Sequence, residues 1–226
     1  MINELLWIGF AFFNFIIVLF FYKLFKKEGL FVWIGFSTVV ANLQVVKTVE
    51  LFGLTATLGN IMYGTAFFVT DIINEKYGKE EAKKAVWLGF STLISLTIIM
   101  QVVLIFIPHE FDIAHDSLQT IFGLLPRIAL GSLVAYLVSQ YVDVHLYAML
   151  KTKFPSDRAL WIRNNGSTMI SQLLDTLVFT SIAFLGQYPL AVWVQIFITT
   201  YVIKFIVAII DTPFAYIAKK MHANKE

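Results

Sequence analysis

Carboxylates set inside long apolar runs are the residues of this chain with the most chemistry to offer. Asp175 lies near the middle of one such run, with Gln172 and Ser171 three and four residues before it, so all three share one face of a helix. Asn165 and Ser167 extend that face toward one end. Asp143 and Gln140 repeat the arrangement on the preceding run, with His145 close by, and Lys151 two turns away makes a water-exposed or salt-bridged role plausible for Asp143. An ionised carboxylate at depth in a membrane costs roughly 2.5–3.5 kcal/mol on insertion scales, so a partner charge, a water-filled cavity or a ligand must offset it. Asp175, Gln172, Asn165, Ser171, Asp143 and Gln140 are therefore candidate binding residues. A carboxylate with amides and hydroxyls suits a heterocycle bearing several N–H donors, and the plainer alternative is that these groups only knit helices together.

A second set suits gating or coupling. Asp71, Asn74 and Glu75 fall at spacings of three and four, and with Lys79 they form a polar stripe climbing from one membrane surface. Lys204 and Asp211 are seven residues apart, about 10 Å along a helix axis, too far to pair directly, so each is expected to find its partner across helices. Arg127 is a candidate partner for one of the acids, and Lys204 suits equally a charge pair that only sets helix register. Tyr63, Phe68, Phe179 and Trp193 offer stacking surfaces near these polar groups.

The elements that must position these residues are transmembrane helices. Of 226 residues, 58% are hydrophobic and only 14% charged, with a mean hydropathy of +0.77. Soluble domains carry about 25% charged residues, so lipid is the solvent that accommodates this composition. Seven apolar segments are expected, at about 5–22, 30–46, 57–74, 85–107, 121–148, 166–185 and 190–217, each near the length that crosses about 30 Å of hydrocarbon. The third is the most polar. The fold class is an all-α, polytopic bundle of six or seven spans, forming a single membrane domain over 1–226. The first run has no basic stretch ahead of it and no small-residue cleavage pattern, which predicts a retained helix, not a signal peptide.

Charge placement supports seven spans. Fourteen of the seventeen basic residues follow segments one, three, five and seven, whereas the other connections hold Lys47 and the basic-free stretches 108–120 and 186–189. The positive-inside rule then places the N-terminus outside and the C-terminus in the cytoplasm. Two five-residue stretches share a pattern: Ser139-Gln140-Tyr141-Val142-Asp143 and Ser171-Gln172-Leu173-Leu174-Asp175 both read Ser-Gln-x-x-Asp. A repeat and a chance match are equally open for so short a stretch.

Other chemistries find little support. The absence of Cys excludes disulfides and thiolates. The stretch from Pro108 to Ser117 contains His109, Glu110, Asp112, His115 and Asp116, but at no tight metal-ligand spacing. No phosphate-binding loop, dinucleotide fingerprint or zinc protease motif occurs, so no cofactor, no metal and no nucleic-acid partner is expected. The acids form no nucleophile–base pair of the kind an intramembrane enzyme needs.

Three stretches together resemble a known family. Asn60-Ile61-Met62-Tyr63 followed by Phe68-Val69-Thr70-Asp71-Ile72-Ile73-Asn74-Glu75-Lys76-Tyr77-Gly78-Lys79-Glu80-Glu81-Ala82 resembles the first signature of the bacterial queuosine precursor transporters, formerly grouped as vitamin uptake transporters. Arg163-Asn164-Asn165-Gly166-Ser167 with Ser171-Gln172-Leu173-Leu174-Asp175-Thr176 resembles the second, and Ser139-Gln140 with Val142-Asp143-Val144 the motif between. The resemblance covers about residues 35–220. It implies import of 7-cyano- and 7-aminomethyl-7-deazaguanine across the cytoplasmic membrane by a secondary carrier using alternating access. Asp175 would then accept the N–H donors of a guanine-like edge, and Asp71 and Glu75 would serve the inner gate. A substrate-capture subunit of a multi-component importer is the alternative, and an intramembrane enzyme a weaker one. Membrane lipid is an expected partner, and both a homodimer and a separate energising module are compatible with the sequence.

Overall fold

The computed structural model describes residues 2–44, 47–51, 54–123, 126–186 and 189–221, and the side chains of 48, 54–57, 126–129 and 192 lie outside the description. The first two apolar segments form one element, α1 (Ile2–Gln44), bent at Lys26, whose φ of 48° and ψ of −131° lie outside helical space. A non-glycine residue rarely takes positive φ. The bend divides α1 into arms of residues 2–25 and 27–44, which correspond to the two expected segments. A short antiparallel hairpin follows, β1 (Thr48–Leu51) and β2 (Leu54–Thr57), with Leu51 opposite Leu54. The remaining long helices are α2 (Gly59–Tyr77), α3 (Lys79–Ile105), α5 (Pro126–Lys153), α6 (Leu160–Phe184) and α7 (Leu190–Lys220), with a single turn, α4 (His115–Leu118), before α5.

The bundle is built polar inside and apolar outside. Phe13, Ile16 and Phe20 of α1, Ile98 and Ile99 of α3, Leu177 of α6 and Ile198 and Val202 of α7 are exposed, while Asp71, Asn74, Gln140, Asp143, Asn164, Gln172, Asp175 and Asp211 are buried. Such an inversion fits a lipid surround, where apolar side chains lose nothing by facing out and polar groups must find partners within. Helices α1, α3, α5, α6 and α7 are long and apolar enough to cross a membrane. The chain is a multi-pass membrane protein.

Helix α2, the uncertain third segment, falls short of that apolarity because it is the axial element. Fourteen of its nineteen residues are buried, and it packs against α1, α3, α5, α6 and α7. A helix surrounded by protein needs no lipophilic face, and at about 28 Å it is nearly as long as the hydrocarbon is thick. Close approach is helped by Gly64, where a Cβ would collide with Val207 of α7. On the α1 side Phe15 meets Phe68 edge-on at 5.3 Å, and Trp33 Nε1 donates to Thr65 Oγ1 at 3.0 Å.

Helix α2 ends at Gly78, whose φ of +88° is open to glycine at little cost, and α3 begins at once. Lys79 therefore opens α3 and does not continue the stripe of Asp71, Asn74 and Glu75. At this end the basic connections meet. Lys27 pairs with Glu81 at 3.0 Å, Lys219 with Asp157 at 2.8 Å, and Lys76 donates to the Lys219 carbonyl. The charge alternation along the chain thus becomes one basic end of the bundle.

Candidate functional site

The two Ser-Gln-x-x-Asp stretches face each other. Because α5 and α6 run antiparallel, Ser139 lies opposite Asp175 and Asp143 opposite Ser171. Ser139 Oγ donates to Asp175 Oδ1 at 3.1 Å, and Ser171 Oγ donates to Asp143 Oδ1 at 2.6 Å. The reciprocal clasp brackets Gln140 and Gln172, both buried. Thr70 Oγ1 of α2 donates to Gln140 Oε1 at 3.2 Å, whereas Gln140 Nε2 and Gln172 Oε1 have no hydrogen-bond partner among the described residues. A buried donor and a buried acceptor left open between two helices form a recognition surface for a ligand with complementary groups, since leaving them empty costs stability.

The carboxylates at the two ends of the clasp differ in their second partner. Asp175 forms an ion pair with Lys204 of α7, whose ammonium lies 5.4 Å from the Tyr63 ring centre. Asp143 is fully buried and is neither water-exposed nor bridged to Lys151. Its side chain instead reaches that of Asp71. Asp71 Oδ2 accepts from Thr168 Oγ1 of α6 at 3.2 Å, and Asn74 Nδ2 holds the Val144 carbonyl at 2.9 Å, which ties α2 to α5 and α6.

Asp211 Oδ1 accepts from Asn164 Nδ2 at 2.6 Å, so Lys204 and Asp211 each find a partner on α6, as their spacing along α7 requires. Pro213, two residues on, lacks the N–H that would bond the Ile209 carbonyl, which loosens α7 beside this contact. Asn165, expected on the polar face, is half-buried at the seam of α6 and α7, where its Nδ2 donates to Thr212 Oγ1 at 2.6 Å and to the Trp161 carbonyl. Asn164 takes the inward position. Eleven residues separate it from Asp175, about three full turns plus roughly 20°, which keeps it on that face, whereas Asn165 is rotated well off it.

Glu75 is the hub of the basic end. Its Oε1 meets Arg163 at 2.9 Å and Lys219 at 2.6 Å, and its Oε2 accepts from Tyr147 at 3.2 Å with Lys151 at 3.7 Å. Arg163, fully buried, also donates to the Phe154 and Ser156 carbonyls at 2.7 and 2.9 Å. Four helices, α2, α5, α6 and α7, are thereby locked together. Sequence reasoning passed over Arg163 and Tyr147; the polar stripe ending at Glu75 was the available signal for a cation on a facing helix. The side chain of Arg127 lies outside the described residues.

Of the stacking candidates, Tyr63 borders the Lys204 pair and Phe68 is core packing, while Trp193 Nε1 donates to the Thr180 carbonyl away from the clasp. The residues from His109 to Asp116 lie at the end opposite Glu75, exposed except for the half-buried His115, and among the described residues no group of three metal-ligating side chains is close enough to hold an ion.

The chain is similar in sequence to known proteins. Residues 57–218 match the family described as "Putative vitamin uptake transporter". Over all 226 residues the chain is 65% identical to a protein of Bacillus subtilis named "Probable queuosine precursor transporter", covering 99% of that protein. It is 26% identical over 178 residues, 75% of each chain, to the "Queuosine precursor transporter" of Escherichia coli, and 26% identical over 183 residues to a counterpart in Haemophilus influenzae named "Probable queuosine precursor transporter". No solved structure matches the chain. The matched span contains α2 and α5 to α7, the helices that supply the clasp, the Lys204 pair and the Glu75 hub, and the chain belongs to this family of membrane transporters.

Proposed function

We propose that this protein imports queuosine precursors, the 7-cyano and 7-aminomethyl forms of 7-deazaguanine, across the bacterial cytoplasmic membrane as a secondary carrier. The observation that carries the reading is the reciprocal Ser–Asp clasp, which holds an open amide donor and an open amide acceptor inside the membrane. A guanine-like edge offers N–H donors beside a carbonyl oxygen, the complement of Gln172 Oε1 and Gln140 Nε2. Asp175 accepts an N–H of the ligand as Lys204 withdraws, and Asn165 lies beside the α6–α7 seam through which those helices move. The names of the relatives support the substrate class.

Alternating access requires a gate on each side of the site. The Glu75 hub closes the basic end, and the positive-inside rule makes that end cytoplasmic, with the C-terminus inside. Substrate crosses chemically unchanged. The test is uptake of each labelled precursor by the purified protein in sealed liposomes. Saturable uptake of intact precursor supports the carrier. Binding without uptake would replace it by the capture-subunit reading, and recovery of a modified product would replace it by an enzyme.

A further inference from the structure

The buried core carries more negative than positive charge. Asp71, Asp143, Asp175 and Asp211 are each no more than 2% exposed. Among the described residues, the buried cations are Lys204, held by Asp175, and Arg163, held by Glu75. Among the described residues, Asp71, Asp143 and Asp211 have no cation of their own.

Two of these acids touch. The side chains of Asp71 on α2 and Asp143 on α5 lie within hydrogen-bond reach of one another. Asp71 Oδ1 and Asp143 Oδ2 are both buried and receive no donor from the described residues. Two carboxylates can hydrogen-bond only through a proton, and two like charges at this distance in a dry core repel strongly.

The surroundings favour one proton over a metal cation. From α6, Thr168 donates to Asp71, and Ser171 donates to Asp143 with the Ser167 hydroxyl also within its reach. From α7, Asp211 brings a third buried carboxyl near Asp71. Tyr147 of α5 and Glu75 of α2 lie one turn nearer the basic end, with Arg163 and Lys219 bound to Glu75. On the other side of α2, α1 presents Phe15 to Phe68. Among the described residues no third His, Cys, Asp or Glu is close enough to the two acids to complete a metal site. A crevice lined by Asp71, Tyr147, Asn164, Glu75 and Lys219 has an accessible volume of about 10 Å³, room for about one water, which suits a proton path and excludes a solute.

We propose that Asp71 and Asp143 hold one proton between them and that this shared proton is the coupling ion of the carrier. The inference rests on the carrier reading above. Binding converts two carboxylates to a carboxylic acid donating to a carboxylate, and release of the proton leaves two anions whose repulsion drives α2 from α5. No bond other than O–H is made or broken. The proton enters and leaves through water.

The experiment reconstitutes the purified protein in liposomes with a pH-sensitive dye inside, and compares substrate counterflow, which needs no gradient, with accumulation driven by an imposed gradient. With one proton per substrate, a one-unit pH gradient supports at most about tenfold accumulation of a neutral precursor. The wild type is expected to approach this and to acidify the lumen. Asp71→Asn is expected to keep counterflow while losing both gradient response and lumen acidification; Asp143→Asn and the double variant, which also alter the clasp, are expected to slow counterflow and to lose the gradient response of the transport that remains. Counterflow by the wild type without a gradient response, gradient response retained in the variants, or a response to sodium in place of protons would each overturn the shared proton while leaving the carrier intact. Absence of wild-type counterflow would sink the carrier reading and the coupling with it. Infrared spectroscopy tests the proton independently of transport and of variant folding: the wild type at neutral pH should display the carbonyl stretch of a buried protonated carboxyl, lost in Asp143→Asn and kept in Asp211→Asn. A wild-type spectrum without that band overturns the proposal.

Discussion

The two halves of the clasp share a sequence pattern and differ in charge. On one side Ser139 donates to Asp175, and Lys204 supplies the counter-charge. On the other Ser171 donates to Asp143, and the neighbour is a second acid, Asp71. The same Ser-Gln-x-x-Asp segment thus has a counter-charge in one half and, among the described residues, none in the other. The pattern on α5 and α6 sets the hydrogen bonds. What α7 and α2 bring against it sets the electrostatics.

The largest expected effect falls on the neutralised half. Lys204→Met leaves Asp175 buried and unpaired and should lower unfolding stability by about 3–5 kcal/mol, with much of the loss recovered in Lys204→Met/Asp175→Asn, as measured by thermal unfolding in detergent. Asp143→Asn, which strands no cation, should be close to neutral in the same assay; a loss as large as that of Lys204→Met would break the comparison. Next comes the hub below both halves. Glu75→Gln removes the partner of Arg163 and Lys219 and should cost about 2 kcal/mol, while raising solvent accessibility of a cysteine introduced at Asn164. An unchanged labelling rate there would remove Glu75 from the gate.

Smaller effects sharpen the contrast. Ser139→Ala and Ser171→Ala each delete one interhelical hydrogen bond, worth about 0.6 kcal/mol on average in a membrane. Ser171→Ala should cost the more, because Asp175 keeps Lys204 whereas Asp143 has no counter-charge among the described residues to fall back on; equal losses would mean that the counter-charge is irrelevant to the clasp. Smallest is Asn165→Ala, at the seam, which should alter uptake less than Asn164→Ala. The reverse order would restore Asn165 to the inward face.

Much of the membrane architecture was legible because apolar run length and basic alternation are local properties of the chain. The arms of α1 and helices α2, α3, α5, α6 and α7 correspond to the seven expected segments, and the basic connections gather at one end. The embedded polar residues were visible for the same reason: Asp71, Gln140, Asp143, Gln172 and Asp175 interrupt apolar runs and lie buried. Asn165 was chosen over Asn164 because adjacent asparagines differ by 100° of helix rotation, and only accumulation of that angle from Asp175 distinguishes them.

Partner choice was not legible. The pairing of Asp175 with Lys204, the contact of Asp143 with Asp71, and the convergence of Arg163, Lys151, Tyr147 and Lys219 on Glu75 join residues far apart in the chain. Periodicity assigns a residue to a face of its own helix, since rotation per residue is a property of the backbone. Which face of which other helix it meets depends on how several helices pack at once, and that decision set which buried acids carry a counter-charge and which do not.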